Sequence, residues 1–107
     1  MARGFDIEIS ADPPGAVSVQ LSGELDLAAR PVVNEQVSAA LIENADIDRV
    51  VVDLGGVKFC DSSGLGALLD IRRVAEKVGA AIVLRAPSAG VARVLDIAGI
   101  DDHMPRE

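Results

Sequence analysis

RVVVDLGGVKFCDSSGLGALLDIRRVAEKVG, running from Arg49 to Gly79, decides the fold. Its opening, Val50-Val51-Val52-Asp53-Leu54, is a β-branched apolar run of one strand's length, broken only by Asp53. Such a run is expected of a strand covered on both faces. Gly55 to Cys60 reads as a short loop. Asp61-Ser62-Ser63-Gly64 then opens a helix whose Ala67, Leu68, Ile71, Val74, Ala75 and Val78 form an apolar stripe. Arg72, Arg73, Glu76 and Lys77 supply its wet side, and Gly79 suits the left-handed position just past a helix end.

Upstream, Phe5, Ile7 and Ile9 alternate with Asp6, Glu8 and Ser10, and Val17, Val19 and Leu21 alternate with Ser18, Gln20 and Ser22. Period-two alternation predicts two half-buried strands, and Asp12-Pro13-Pro14-Gly15 between them is turn chemistry, so the pair forms an antiparallel hairpin. Gly23-Glu24-Leu25-Asp26 breaks the alternation and leads towards a helix. Pro31 belongs in a first helical turn, so that helix begins close to it. Val33, Val37, Ala40 and Leu41 recur at helical spacing, with Glu35 and Ser38 facing away, and Asn44 to Asp48 is a polar connector. Downstream, Ala81 to Leu84 is a last strand. Pro87-Ser88 starts a final helix with Val91, Val94, Leu95 and Ala98 on one side, and Asp101 to Glu107 is a polar tail.

The order is therefore β-β-α-β-α-β-α. Right-handed crossovers make the second, third and fourth strands parallel and leave the first as an antiparallel edge. The expected fold is α/β, a four-stranded mixed sheet with three main helices in one domain spanning residues 1–107.

The chain has 17 acidic and 10 basic residues, a net charge of −7, and only two aromatic residues, Phe5 and Phe59. This acidity disfavours direct contact with nucleic acid or anionic lipid, and two aromatics do not make a base-stacking platform. A protein with a basic face is the more natural partner. Met1-Ala2-Arg3-Gly4-Phe5-Asp6 lacks the apolar run of a signal peptide, and no apolar stretch approaches the ~20 residues of a membrane span. The expected location is the cytoplasm.

Chemistry concentrates at Asp61-Ser62-Ser63-Gly64. One reading is an N-cap, in which Asp or Ser accepts a backbone N–H. The other is a site: the turn sits at the C-terminal end of a parallel strand, where open α/β sheets bind their ligands. Gly64 and Gly66 weaken a helix by roughly 1 kcal/mol each. Either another backbone approaches them or they pack tightly inside the domain. Cys60, the sole cysteine, reads as a small buried residue, with a redox-sensitive thiol as the alternative. His103 is the sole histidine and lies in the tail. The sequence holds no Gly-x-Ser-x-Gly elbow, no P-loop ending after Gly55-Gly56 and no metal-ligand set, so neither an enzyme nor a cofactor is expected.

Val51-Val52-Asp53-Leu54, Phe59 and Asp61-Ser62-Ser63-Gly64-Leu65-Gly66 together resemble the signature of STAS domains, and more narrowly of bacterial anti-sigma factor antagonists. Gly23-Glu24-Leu25-Asp26 resembles a second signature of that family, and the resemblance covers essentially the whole chain. It implies that Ser62 is phosphorylated by an anti-sigma factor that is itself a serine kinase, with Ser63 the competing acceptor. It further implies a PP2C-type phosphatase that reverses the reaction. The unphosphorylated form would bind the anti-sigma factor and free the sigma factor. The docking face it implies comprises Glu24, Asp26, Asp61, Ser62, Ser63, Gly64, Leu65 and Gly66, on a monomer or weak homodimer. Two other functions remain open: a non-phosphorylated STAS subunit of a stress-signalling scaffold or lipid transporter, and, more distantly, a small serine hydrolase using Ser62.

Overall fold

The computed structural model describes residues 4–12, 14–44 and 46–107, and of Asp101 the backbone only. Met1 to Arg3 of the N-terminal reading, Pro13 of the hairpin turn, Ala45 of the connector and the Asp101 side chain lie outside the described residues. The elements are β1 (Phe5–Asp12), β2 (Ala16–Leu25), α1 (Ala29–Glu43), β3 (Arg49–Cys60), α2 (Ser62–Lys77), β4 (Ala81–Arg85) and α3 (Ala89–Ala98), followed by a 3-10 turn at Ile100–Asp102. The strands form one sheet in the order β1-β2-β3-β4. β1 is antiparallel to β2, and β2, β3 and β4 are mutually parallel, as the connections require.

The pleat sorts the sheet into two faces. Ile9, Val19, Val52 and Leu84 stand in one row across it, and Val17, Val50 and Ile82 in the next. These rows join Val33, Val37, Leu41, Leu68, Ile71 and Leu95 from the helices in a single core. Full burial of a Val or Leu side chain stabilises by about 1.5–3 kcal/mol, so these rows fix the register. One residue out of phase, Glu8, Gln20, Asp53 and Arg85 form a polar row on the opposite face. Ser88 caps α3 by accepting from Val91 N at 3.3 Å.

Five expectations need correction. Gly55 to Cys60 is not a loop: β3 continues through it, and Gly23 to Leu25 is likewise strand. Gly56 admits this pairing, because a Cβ on it would lie 2.7 Å from the Ser22 Cβ. Val78 is exposed, since α2 ends at Lys77 and Gly79, at φ +75°, reverses the chain before the stripe is completed. Ala98 is exposed as well, and the left-handed Gly99 instead turns Ile100 into the core. The tail is not simply solvated. Met104 is fully buried, and Leu84 accepts from Glu107 N at 2.8 Å while donating to Pro105 O at 2.9 Å. The Glu107 carboxylate accepts from Arg85 Nε at 2.6 Å and Arg49 Nη2 at 2.7 Å. The Arg85 hydrogen bond is the main reason its carboxyl sits below the usual range.

Candidate functional site

Beyond Gln20 the ladder between β2 and β3 is irregular, with shifts at Gln20/Ser22 and Gly23/Glu24. Gly23 makes this possible. It sits at φ +86°, and a Cβ there would lie 1.8 Å from the Gly4 carbonyl oxygen, which accepts from Glu24 N at 2.8 Å. The strands recover alignment at Glu24 opposite Phe59 and Leu25 opposite Cys60. The next residues, Asp26 and Asp61, therefore leave the sheet side by side, with Asp61 N donating to Leu25 O at 3.4 Å. Two segments separated by 35 positions of sequence thus form one surface.

Each aspartate makes the same pair of hydrogen bonds, Asp61 as the N-cap of α2 and Asp26 in the turn two residues before Ala28, the N-cap of α1. Asp26 Oδ1 accepts from Ala29 N at 3.1 Å, and Asp61 Oδ1 accepts from Gly64 N at 3.0 Å. Asp26 O accepts from Arg30 N at 3.2 Å, and Asp61 O from Leu65 N at 3.0 Å. The N-cap of α2 is therefore Asp61, which leaves both serine hydroxyls outside the capping bond. Ser62 is exposed at the first helical position and Ser63 is half-buried at the second.

The expected docking residues fall into distinct settings. Glu24 is exposed, whereas Asp26, Asp61, Leu65 and Gly66 are half-buried. Gly64 is buried, and a Cβ on it would lie 2.2 Å from Leu25 O and 2.8 Å from Cys60 Sγ. At Gly66 the Arg30 guanidinium lies against the helix, 2.6 Å from where a Cβ would stand. Packing within the chain therefore accounts for both glycines. Two apolar side chains that the sequence reading did not assign to the site also flank it: Leu27 is 71% exposed and Phe59 is 50% exposed. The pairing of Phe59 with Glu24 is what brings it there, and only the strand extension reveals that.

Beneath this surface Asp70 ties α2 to α1. It is 6% exposed, the only buried charged residue among those described, and was not picked out from the sequence. Its carboxylate accepts from Arg30 Nε at 2.7 Å and Nη2 at 3.2 Å, Asn34 Nδ2 at 3.0 Å and Arg73 Nη1 at 3.1 Å. The Arg30 hydrogen bond, opposed by burial and helped by Asn34, holds this carboxyl below the usual range. The available signal was an acid adjoining Ile71 on the apolar side of α2. Cys60 is buried, and desolvation followed by the Asp61 charge pushes its thiol up to about 11. That favours the packing role over the redox one.

His103 lines a shallow depression with Arg72, Glu76 and Ala80, towards the C-terminal end of α2. Ser62 is at the other end of this 16-residue helix, roughly 20 Å away along its axis. The geometry therefore gives Ser62 no histidine base. Among the described residues no group of three His, Cys, Asp or Glu is placed to hold a metal ion, and no helix is long and apolar enough to cross a membrane.

A sheet of this order, with two signature turns meeting at the ends of two parallel strands, defines a class. The family model described as "Mlab, STAS domain" matches residues 10–106, and the chain belongs to the STAS domain family. Its relatives narrow the comparison. The chain is 33% identical over 91 residues to an anti-sigma F factor antagonist of Paenibacillus polymyxa, covering 85% of this chain and 77% of that one. It is 29% identical over 86 residues to an anti-sigma-B factor antagonist of Bacillus subtilis, covering 80% and 76%. In three dimensions it resembles the anti-sigma factor antagonist SpoIIAA in its unphosphorylated form. That likeness has a TM-score of 0.79 at 25% identity, covering 95% of this chain and 88% of the other.

Proposed function

We propose that this chain is an anti-sigma factor antagonist that works by binding, not by catalysis, as one STAS domain in the cytoplasm. The observation that carries the reading is the exposed Ser62 beside Asp61, on a surface shared with Asp26, Leu27 and Phe59. The names of its relatives and the likeness to SpoIIAA support it. Unmodified, the surface docks on an anti-sigma factor: Leu27 and Phe59 supply apolar contact, while Glu24, Asp26 and Asp61 meet basic groups. Ser62 is the acceptor for a kinase activity of that same partner, and a PP2C-type phosphatase restores the hydroxyl. The exposed Ser62 is a better acceptor than the half-buried Ser63.

The mechanism follows from charge. A phosphate at the start of a helix faces free N–H groups and the positive end of the dipole, so the fold tolerates it. It nevertheless adds nearly two negative charges beside Asp61, in an area a partner must cover. Desolvating charge that the partner does not match costs several kcal/mol, and ~1.4 kcal/mol is already tenfold in affinity. The phosphorylated form is therefore released with its backbone unchanged.

The alternative is a STAS subunit that binds its partner without modification. Intact mass after incubation with candidate anti-sigma kinases and ATP separates the two. One added phosphate, lost in Ser62→Ala and kept in Ser63→Ala, is the expected result. Tight binding to a partner with no phosphate added would support the unmodified subunit instead.

A further inference from the structure

Arg30 uses only two of its three nitrogens on Asp70. Nε and Nη2 donate to the carboxylate at 2.7 and 3.2 Å, while Nη1 makes no hydrogen bond among the described residues. Nη1 and Cζ lie 2.6 and 2.7 Å from the position a Cβ would take on Gly66. The guanidinium thus rests on bare helix backbone, four residues after Ser62 and three after Ser63. Residues three and four apart share a helix face, with Cβ atoms about 5–6 Å apart, and each Cα–Cβ bond leans towards the helix start. The Gly66 Cβ position leans towards the helix start, so Nη1 beside it stands on the side of the turn that bears the serines, and a phosphoryl group on Ser62, one turn away, would meet it by folding back along the helix face. Only a residue without a side chain at position 66 leaves this path clear. The Arg30 side chain is 40% exposed, so it has room to turn.

We propose that Arg30 is the internal receiver of a phosphate on Ser62, bonding it through Nη1 and sharing its fork between that phosphate and Asp70. This rests on the reading of Ser62 as the acceptor. Asp70 can give up part of Arg30 because Asn34 and Arg73 still bond it. An Arg fork matches phosphate oxygens well, and such bonds are the strong class of charge-assisted hydrogen bonds. The phosphate is then pinned against α2 and cannot swing clear of an approaching partner. Arg30 acts as a positioning residue, and the α1–α2 clamp becomes sensitive to the modification state.

The test uses the full chain with phosphoserine encoded at position 62, so no kinase is needed. 31P NMR reads the second pKa of the phosphate, ordinarily about 6. A nearby guanidinium favours the dianion, so Arg30→Gln should raise this value by about one unit relative to the otherwise native chain. Asp70→Asn, which frees Arg30, should lower it. Asn34→Ala, which leaves Asp70 more dependent on Arg30, should raise it by less than Arg30→Gln does. As a check that needs no variant, the Arg30 guanidinium 15N resonances should shift along the phosphate titration curve. Equal phosphate pKa values in native and Arg30→Gln chains, or Arg30 resonances indifferent to the titration, would overturn the proposal. Neither result would touch the proposed function, whose own failure is read from kinase incubation and partner binding.

Discussion

The turns leading into α1 and α2 share one hydrogen-bond pattern and differ in what they offer. Asp26-Leu27-Ala28-Ala29 and Asp61-Ser62-Ser63-Gly64 each follow a parallel strand. In each, the aspartate side chain accepts an N–H three residues on and its carbonyl accepts one four residues on. At the first start the two intervening residues are Leu27 and Ala28, so it presents apolar surface. At the second they are serines, so it presents hydroxyls. The same capping geometry thus gives a docking contact on one side and a modifiable group on the other. Because Asp61 does the capping, Ser62 is left available for chemistry without cost to the helix.

The sharpest break in the likeness is at the third position after each aspartate. Ala29 is fully buried and keeps its Cβ, whereas at Gly64 a Cβ would run into Leu25 O. Gly64→Ala should therefore destabilise by about 3 kcal/mol, the upper range for overpacking, and lower the thermal midpoint by more than 10 °C (about 4–8 °C per kcal/mol). A midpoint within a degree or two of the native one would show that the two starts are not held as tightly as described.

Next in size is the clamp that holds the two starts together. Asp70→Ala removes an acceptor of charge-assisted bonds and should cost about 2 kcal/mol in chemical denaturation. It also has a pH signature. The folded carboxyl titrates below its unfolded value, so its contribution is complete above the unfolded pKa near 3.9 and is lost as pH falls through the folded one. The native chain should lose stability over that acid window, and the part of the loss due to Asp70 should be missing in Asp70→Asn. Identical acid limbs would contradict the assignment.

Smaller effects sharpen the comparison of the caps. Asp61→Ala and Asp26→Ala should each cost about 1 kcal/mol, since each removes one capping bond. Ser62→Ala should change stability by less than about 0.5 kcal/mol, because its hydroxyl caps nothing. Smallest of all is the thiol between the two starts. With its pKa pushed up to about 11, Cys60 should resist alkylation at pH 8 in the folded chain and react readily once unfolded.

The periodicities made most of this fold legible. Alternation in β1 and β2, the Val50 to Leu54 run and the stripe of α2 gave element order and strand direction. What escaped was where glycines do something other than end an element. Gly55 and Gly56 look like a loop, yet Gly56, lacking a side chain, lies opposite Ser22 and β3 keeps pairing with β2, which carries Phe59 into the site. Asp70 escaped because polarity on an apolar stripe reads as noise until its donors on α1 are located. The anchoring of Glu107 depends on Arg49 and Arg85, too distant in sequence for any local pattern to reveal. The turn at Ser62 was visible from the start, but that Asp61 and not a serine caps it required the coordinates.

The most direct measurement is the affinity of the chain for its anti-sigma factor, by calorimetry, with unmodified Ser62 and with phosphoserine at that position. The charge mechanism predicts a tight complex for the first and binding at least about a hundredfold weaker for the second, roughly 3 kcal/mol. Equal affinities would contradict it.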